Sequence, residues 1–227
     1  MAKSKLKLLL GAFALLWATN IASAASLLGP FSITSGDNTI GVAVQIPGPS
    51  AEGAGEFLPQ FPVAVVFPGT ARAASIASNC ELSDLGGFIL VYFVFPGGAV
   101  TTEICGTPLT LASSGTYDHR AGLDLEAARD VVEFALGAHT TTGGATLQDI
   151  VGPGMPLHPQ ARGIAAFSNG SNAAAAVLSL YGAELGELGL SFLSSWENGG
   201  GSDQIMADEL GRREYDPNLL ADSHTDP

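Results

Sequence analysis

A chain of 227 residues carrying 22 acidic side chains and only nine basic ones has the length of one ordinary domain. Its sign is wrong for nucleic acid or an anionic membrane surface, both of which select basic patches.

The first 24 residues have the layout of a secretory signal peptide. Lys3, Lys5 and Lys7 make a positive start, Leu8 to Trp17 an apolar core, and Ala22-Ser23-Ala24 a small-residue cleavage site before Ala25. The apolar core is too short for an ordinary membrane span, and no later run reaches that length without Gly, Pro or charge. The expected location is therefore secreted or periplasmic. All three lysines fall in this segment. The mature chain keeps six arginines against 22 carboxylates, a formal balance of about −16. In such a compartment Cys80 and Cys105 are expected to form one disulfide. The closed loop of about 25 residues would contribute roughly 3–4 kcal/mol on the chain-entropy view.

In the mature chain, Phe31 to Ile33 and Ile40 to Ile46 alternate around the turn cluster Ser35-Gly36-Asp37-Asn38, predicting an antiparallel hairpin. A Pro/Gly/Glu-rich loop over 47–56 follows. Phe61 to Phe67 and Gly87 to Phe95 are apolar without alternation, as strands buried on both faces of a parallel sheet are. Each ends at a breaker, Pro68-Gly69-Thr70 and Pro96-Gly97-Gly98, and Ala71 to Ala77 can form a helix between them. Residues 99–122, rich in Gly, Thr and Ser, read as a long surface loop holding Cys105. Asp124 is expected to cap a helix with Leu125, Ala128, Val132 and Ala135 or Leu136 on one stripe, ending near Gly137. A loop over 138–161 leads to a short apolar strand, Gly163 to Phe167, and then to Ser168-Asn169-Gly170-Ser171. An alanine-rich helix starting near Ser171 and a last strand, Leu188 to Trp196, complete the pattern.

Strands alternating with helices predict a three-layer α/β sandwich with a mostly parallel sheet and an antiparallel N-terminal hairpin. A serine on a tight strand-to-helix turn, flanked by Ala166 and Gly170, has the form small-x-Ser-x-small. Small neighbours are what lets such a turn lift a hydroxyl above the sheet edge. The plainer alternative is a serine that caps the following helix.

Taken together, residues 31–196 resemble an α/β-hydrolase, with Ala at the first small position of the elbow. The Ser-Asn-Gly-Ser turn is similar to the Ser-Asn-Gly-Gly elbows of secreted esterase and polyester-depolymerase-like members. The resemblance implies an ester hydrolase with Ser168 as nucleophile and no cofactor. The N–H of Asn169 would be one oxyanion donor and that of Thr70 or Ala71, in the loop after the first buried strand, the second. Family chain order places the acid and then the base after the serine. His224 is the only histidine beyond Ser168, and Glu197 follows the last strand, with Asp203 and Asp208 as further acids. Segment 197–227 reads as a weakly structured acidic tail without the closing strands of the family. One expectation is accordingly a chain lacking its C-terminal part, or a non-catalytic module; a peptidase of the same fold is another. Asp216, Asn218, Asp222 and Asp226 match no calcium-loop spacing, and no phosphate loop, dinucleotide fingerprint or metal cluster is present in the sequence. The expected partner is a small or polymeric ester.

Overall fold

The computed structural model describes residues 25–48, 60–69 and 87–196. Ten segments organise them into one sheet, a separate hairpin and a helical layer, with a further short helix between them. Strands β1 (Ser26–Ser35) and β2 (Asn38–Ile46) form the expected hairpin, Ser35 pairing with Asn38 across the turn. Strands β3 (Phe61–Phe67) and β4 (Ile89–Phe93) are buried at every residue, which is why their sequences do not alternate. Strand β7 (Leu157–Phe167) is longer than its apolar run, and β8 (Leu190–Trp196) lies beside it.

The sheet order is β1-β2-β4-β3-β7-β8. β1, β2 and β4 are linked by antiparallel pairing, whereas β4, β3, β7 and β8 run parallel. β3 is thus an interior strand flanked by β4 and β7, and the ends of β3 and β7 lie next to each other. Phe67 pairs with Ala166, so the residues after both strands emerge at one edge.

Alternate side chains of the sheet feed two cores. On one face Val42, Val63, Val65, Phe67, Val91 and Phe93 pack with helix α1 (Gly122–Leu136) and helix α3 (Asn169–Glu187). The expected stripe of α1 is buried, and so are Ala127, Val131 and Phe134 beside it, because the helix packs against both the sheet and α3. On the other face Ala43, Ala64, Val66, Leu90 and Tyr92 are covered by Ile104, Leu109 and Leu111.

That cover corrects one expectation. Residues 99–122 are not a long loop: β5 (Ala99–Ile104) and β6 (Thr107–Ala112) form a hairpin turning at Cys105-Gly106. Its exposed positions carry Ala99, Thr101, Glu103, Pro108, Thr110 and Ala112, and its inward positions Ile104, Leu109 and Leu111. The Thr/Gly composition that reads as loop is that of a strand pair with one wet face. Similarly, the 138–161 loop contains α2 (Leu147–Val151), started by a reciprocal capping box between Thr146 and Asp149. Asp at the third position, where Glu or Gln is the usual signature, conceals that box in the sequence. No described helix is long and apolar enough to cross a membrane, which leaves strand-crossing barrels unaddressed.

If the hairpin is the cover of the second core, Leu111→Ala should cost about 2–5 kcal/mol. The check is the shift of the urea midpoint at unchanged slope.

Candidate active site at the β7–α3 elbow

β7 ends at Phe167 and α3 begins at Asn169, two residues earlier than composition suggests. Ser168 alone joins them. Its backbone has φ +46° and ψ −122°, a conformation L-residues rarely adopt. Strain of this kind costs about 1–3 kcal/mol and persists only where the surroundings impose it. The capping alternative does not apply: the Ser168 side chain makes no cap hydrogen bond, and among the described residues its Oγ has no hydrogen-bond partner. The residue is half-buried, so the hydroxyl is not sealed in the core.

The neighbours explain what imposes the turn. A Cβ at Gly170 would lie 2.6 Å from the carbonyl oxygen of Phe67 and 2.7 Å from that of Pro68. Backbone therefore meets backbone there, and only glycine permits it. Ala166, in β7, is fully buried on the helical face of the sheet. A Cβ at Gly69 would come within 3.0 Å of the Phe167 carbonyl oxygen, so the chain leaving β3 passes close over the end of β7. Ser195 of β8 donates to Ser171 Oγ at 2.7 Å and ties the last strand to the first turn of α3.

With this turn at this edge of the sheet, the architecture can be stated. It is an α/β fold with a mostly parallel sheet, an antiparallel N-terminal hairpin and a serine on the turn from a parallel strand to a helix. The N–H groups of Asn169 and Gly170 lie in the first turn of α3, where the helix offers them no acceptor and its dipole is positive. They are suited to an anion forming beside Ser168.

One buried residue at this site is absent from the sequence reading. Arg120 has no exposed surface. Its Nη1 donates to the carbonyl of Asn169, its Nη2 approaches that of Pro68 at 3.4 Å, and the guanidinium stands 5.4 Å from the Phe95 ring centre. The arginine is sent inward by a tight segment in which His119 and Arg120 both have positive φ, 60° and 63°. Asp118, not Asp124, caps α1, accepting from the N–H groups of Ala121, Leu123 and Asp124. Asp124 is instead buried in the first turn and accepts from the N–H of Arg120 at 2.7 Å. Asp-x-Arg immediately before an amphipathic helix is the only sequence signal of this arrangement, and it does not say where the arginine points.

Burial pushes the Asp124 carboxyl up from its ordinary value near 3.8 to about 8, and the negative charge of nearby Asp118 adds to the rise. Burial thus favours the protonated form of Asp124.

Of the expected site residues, Ser168 and Asn169 are adjacent at the elbow. Thr70, Glu197 and His224 lie outside the described residues, as does Cys80. Cys105 occupies the β5–β6 turn; it is not a free thiol, and its Sγ accepts from Gln45 Nε2 at 3.2 Å. His139 and His158 engage neighbouring backbone groups, and the ring of His119 lies 5.2 Å from that of Tyr117. Among the described residues no His, Cys, Asp or Glu groups of three or more could hold a metal ion.

No family model and no curated protein matches the chain. Among solved structures, it is similar to the thermophilic carboxylesterase EstE1 from a metagenomic library, with TM-score 0.48 and 17% identity over 80% of this chain and 49% of that one. It is also similar to the hyperthermophilic esterase of the archaeon Pyrobaculum calidifontis, with TM-score 0.46 and 14% identity over 92% and 61%. The acylaminoacyl peptidase of Pyrococcus horikoshii matches with TM-score 0.40 and 14% identity over 70% and 21%. The chain thus spans about half to three fifths of the length of those two esterases.

Gly170→Ala should cost about 1–3 kcal/mol, a fall of several degrees in melting temperature by calorimetry. Gly186→Ala, where a Cβ meets nothing within 4 Å in the same helix, should hold or raise it. Asp124 also sets a pH dependence. The folded state binds its proton more tightly than the unfolded chain, so stability is full below about pH 4 and falls as pH rises towards about 8. The melting temperature of Asp124→Asn, which imitates the protonated acid, should fall less than the wild type's across that window.

Proposed function

We propose that the chain is an exported serine hydrolase that cleaves carboxylic esters through an acyl-enzyme on Ser168. The observation that carries this reading is the elbow itself: a strained, half-buried serine between a parallel strand and a helix N-terminus, with no structural bond for its hydroxyl.

In this reading Ser168 Oγ attacks the ester carbonyl carbon while His224 takes its proton, and Glu197 orients the imidazole. The oxygen that becomes negative accepts hydrogen bonds from the N–H of Asn169 and of Thr70. The C–O bond to the alcohol then breaks, and His224 returns the proton to the leaving oxygen. Water, deprotonated by the same histidine, attacks the acyl-enzyme and restores Ser168. The acid, the base and the Thr70 donor are assigned by chain order and by the resemblance. Export, and a Cys80–Cys105 disulfide bracing the hairpin, follow from the N-terminal segment and the cysteine pair. The elbow resemblance to secreted esterases favours an ester over an amide as substrate.

The test is labelling of the mature chain by a serine-reactive fluorophosphonate, together with turnover of a chromogenic ester series and a peptide anilide. Wild type should label and cleave esters, and Ser168→Ala should do neither. His224→Ala should slow labelling about 10²- to 10⁴-fold, the usual weight of a general base. A folded wild type that does not label rejects the reading, and cleavage of the anilide alone replaces the esterase by a peptidase.

A further inference from the structure

We propose that Arg120 is a positioning residue for this site, holding the elbow backbone and the loop after β3 at a set spacing so that the oxyanion-binding N–H groups converge. The proposal rests on the reading of Ser168 as nucleophile.

Two backbone segments must meet for an oxyanion pocket to exist here: residues 67–69 leaving β3 and residues 168–170 entering α3. Gly170 lets them touch, but contact alone sets only a minimum distance. The Arg120 guanidinium reaches both, donating from Nη1 to the Asn169 carbonyl and from Nη2 towards the Pro68 carbonyl. A guanidinium is a planar fork with its donors in fixed geometry, so two acceptors on one fork acquire a defined separation. A lysine ammonium, a point donor on a flexible stem, imposes no such relation.

The bonded carbonyls are the relevant ones. Asn169 also carries the first candidate oxyanion N–H. In a helix a residue's C=O and N–H point in opposite senses along the axis, so fixing the carbonyl fixes the aim of the donor. The Pro68 carbonyl shares its peptide unit with the N–H of Gly69, the residue before Thr70. Hydrogen bonds to these two carbonyls also polarise the peptide units that carry the Gly69 and Gly170 N–H groups, making both stronger donors.

The aim of the arginine is itself imposed from several sides. Consecutive positive-φ residues His119 and Arg120 turn the chain, Asp124 receives the Arg120 N–H, and Phe95 lies against the guanidinium. Two non-glycine residues in the left-handed region are a strained way to begin a helix. Asp118 satisfies the helix N–H groups whatever side chain follows it, so capping does not account for the inward arginine.

The experiment compares wild type, Arg120→Lys and Arg120→Met for melting temperature, fluorophosphonate labelling rate per folded molecule, and kcat and KM on a chromogenic ester. Arg120→Ala is assayed with and without added guanidinium ion. The expected result is a roughly 10- to 100-fold loss of labelling rate and kcat in the Lys and Met variants, below or at the loss of a whole oxyanion donor. KM should change little, and guanidinium should restore part of the rate to Arg120→Ala. Arg120→Lys retains charge and stem, and is the variant chosen to fold. If it melts close to the wild type and labels at the wild-type rate, the proposal is overturned while Ser168 keeps its role. A rate loss that only tracks the loss of folded protein, with no guanidinium rescue, overturns it equally. Absence of labelling in folded wild type is a different failure: it removes the nucleophile reading and this proposal with it.

Discussion

The contact on which the site depends is between backbones. The first turn of α3 sits directly on the carbonyls of Phe67 and Pro68, and the absence of a side chain at Gly170 is what permits it. Had residue 170 a Cβ, β7 and β3 could remain neighbours in the sheet, but the helix would have to lift away from the end of β3. Ser168 is forced into its positive-φ conformation because the chain must turn from strand to helix within one residue. The strain in that turn is balanced by the core beneath it, where Ala166, Ala173 and Ala174 are buried. Small residues recur here for one reason: three pieces of main chain converge.

Around this contact the molecule separates its two tasks. The face bearing α1 and α3 carries the larger core and anchors the elbow. The opposite face is closed by the β5–β6 hairpin, whose three apolar side chains lie over the small and aromatic residues of the central strands. Tyr92 shows how the polar remainder is handled on that side: its hydroxyl donates to Gln45 at 2.7 Å, and Gln45 in turn donates to Cys105. The hairpin tip is thereby joined to the sheet through buried polar groups as well as through packing.

The legible parts of the fold were those in which residue type and burial coincide. β3 and β4 announce themselves by unbroken apolar runs, the first hairpin by alternation about Gly36-Asp37, and α1 by its stripe and Gly137. The strand-to-helix turn at Ser168 was legible because so tight a turn demands small residues at fixed places. The hairpin over 99–112 was not, since threonines on a wet strand face look like loop. Asp124 stands where a cap would be expected, although Asp118, six residues earlier, accepts from the N–H groups at the start of the helix. A carboxylate near a helix start can cap or be buried, and local spacing does not separate the two.

By itself, the sequence determined the order of the six strands of the main sheet and of the two long helices, and the position of the turn at Ser168, because these follow from local propensity and short-range pattern. Only the tertiary structure decided that Ser168 is strained and uncapped, that Gly170 faces the end of β3, and that Arg120 reaches the elbow from 49 residues away. Those facts depend on which strands become neighbours. Bringing β3 and β7 side by side places residues 67–69 against 168–170, a proximity that no window of consecutive residues contains.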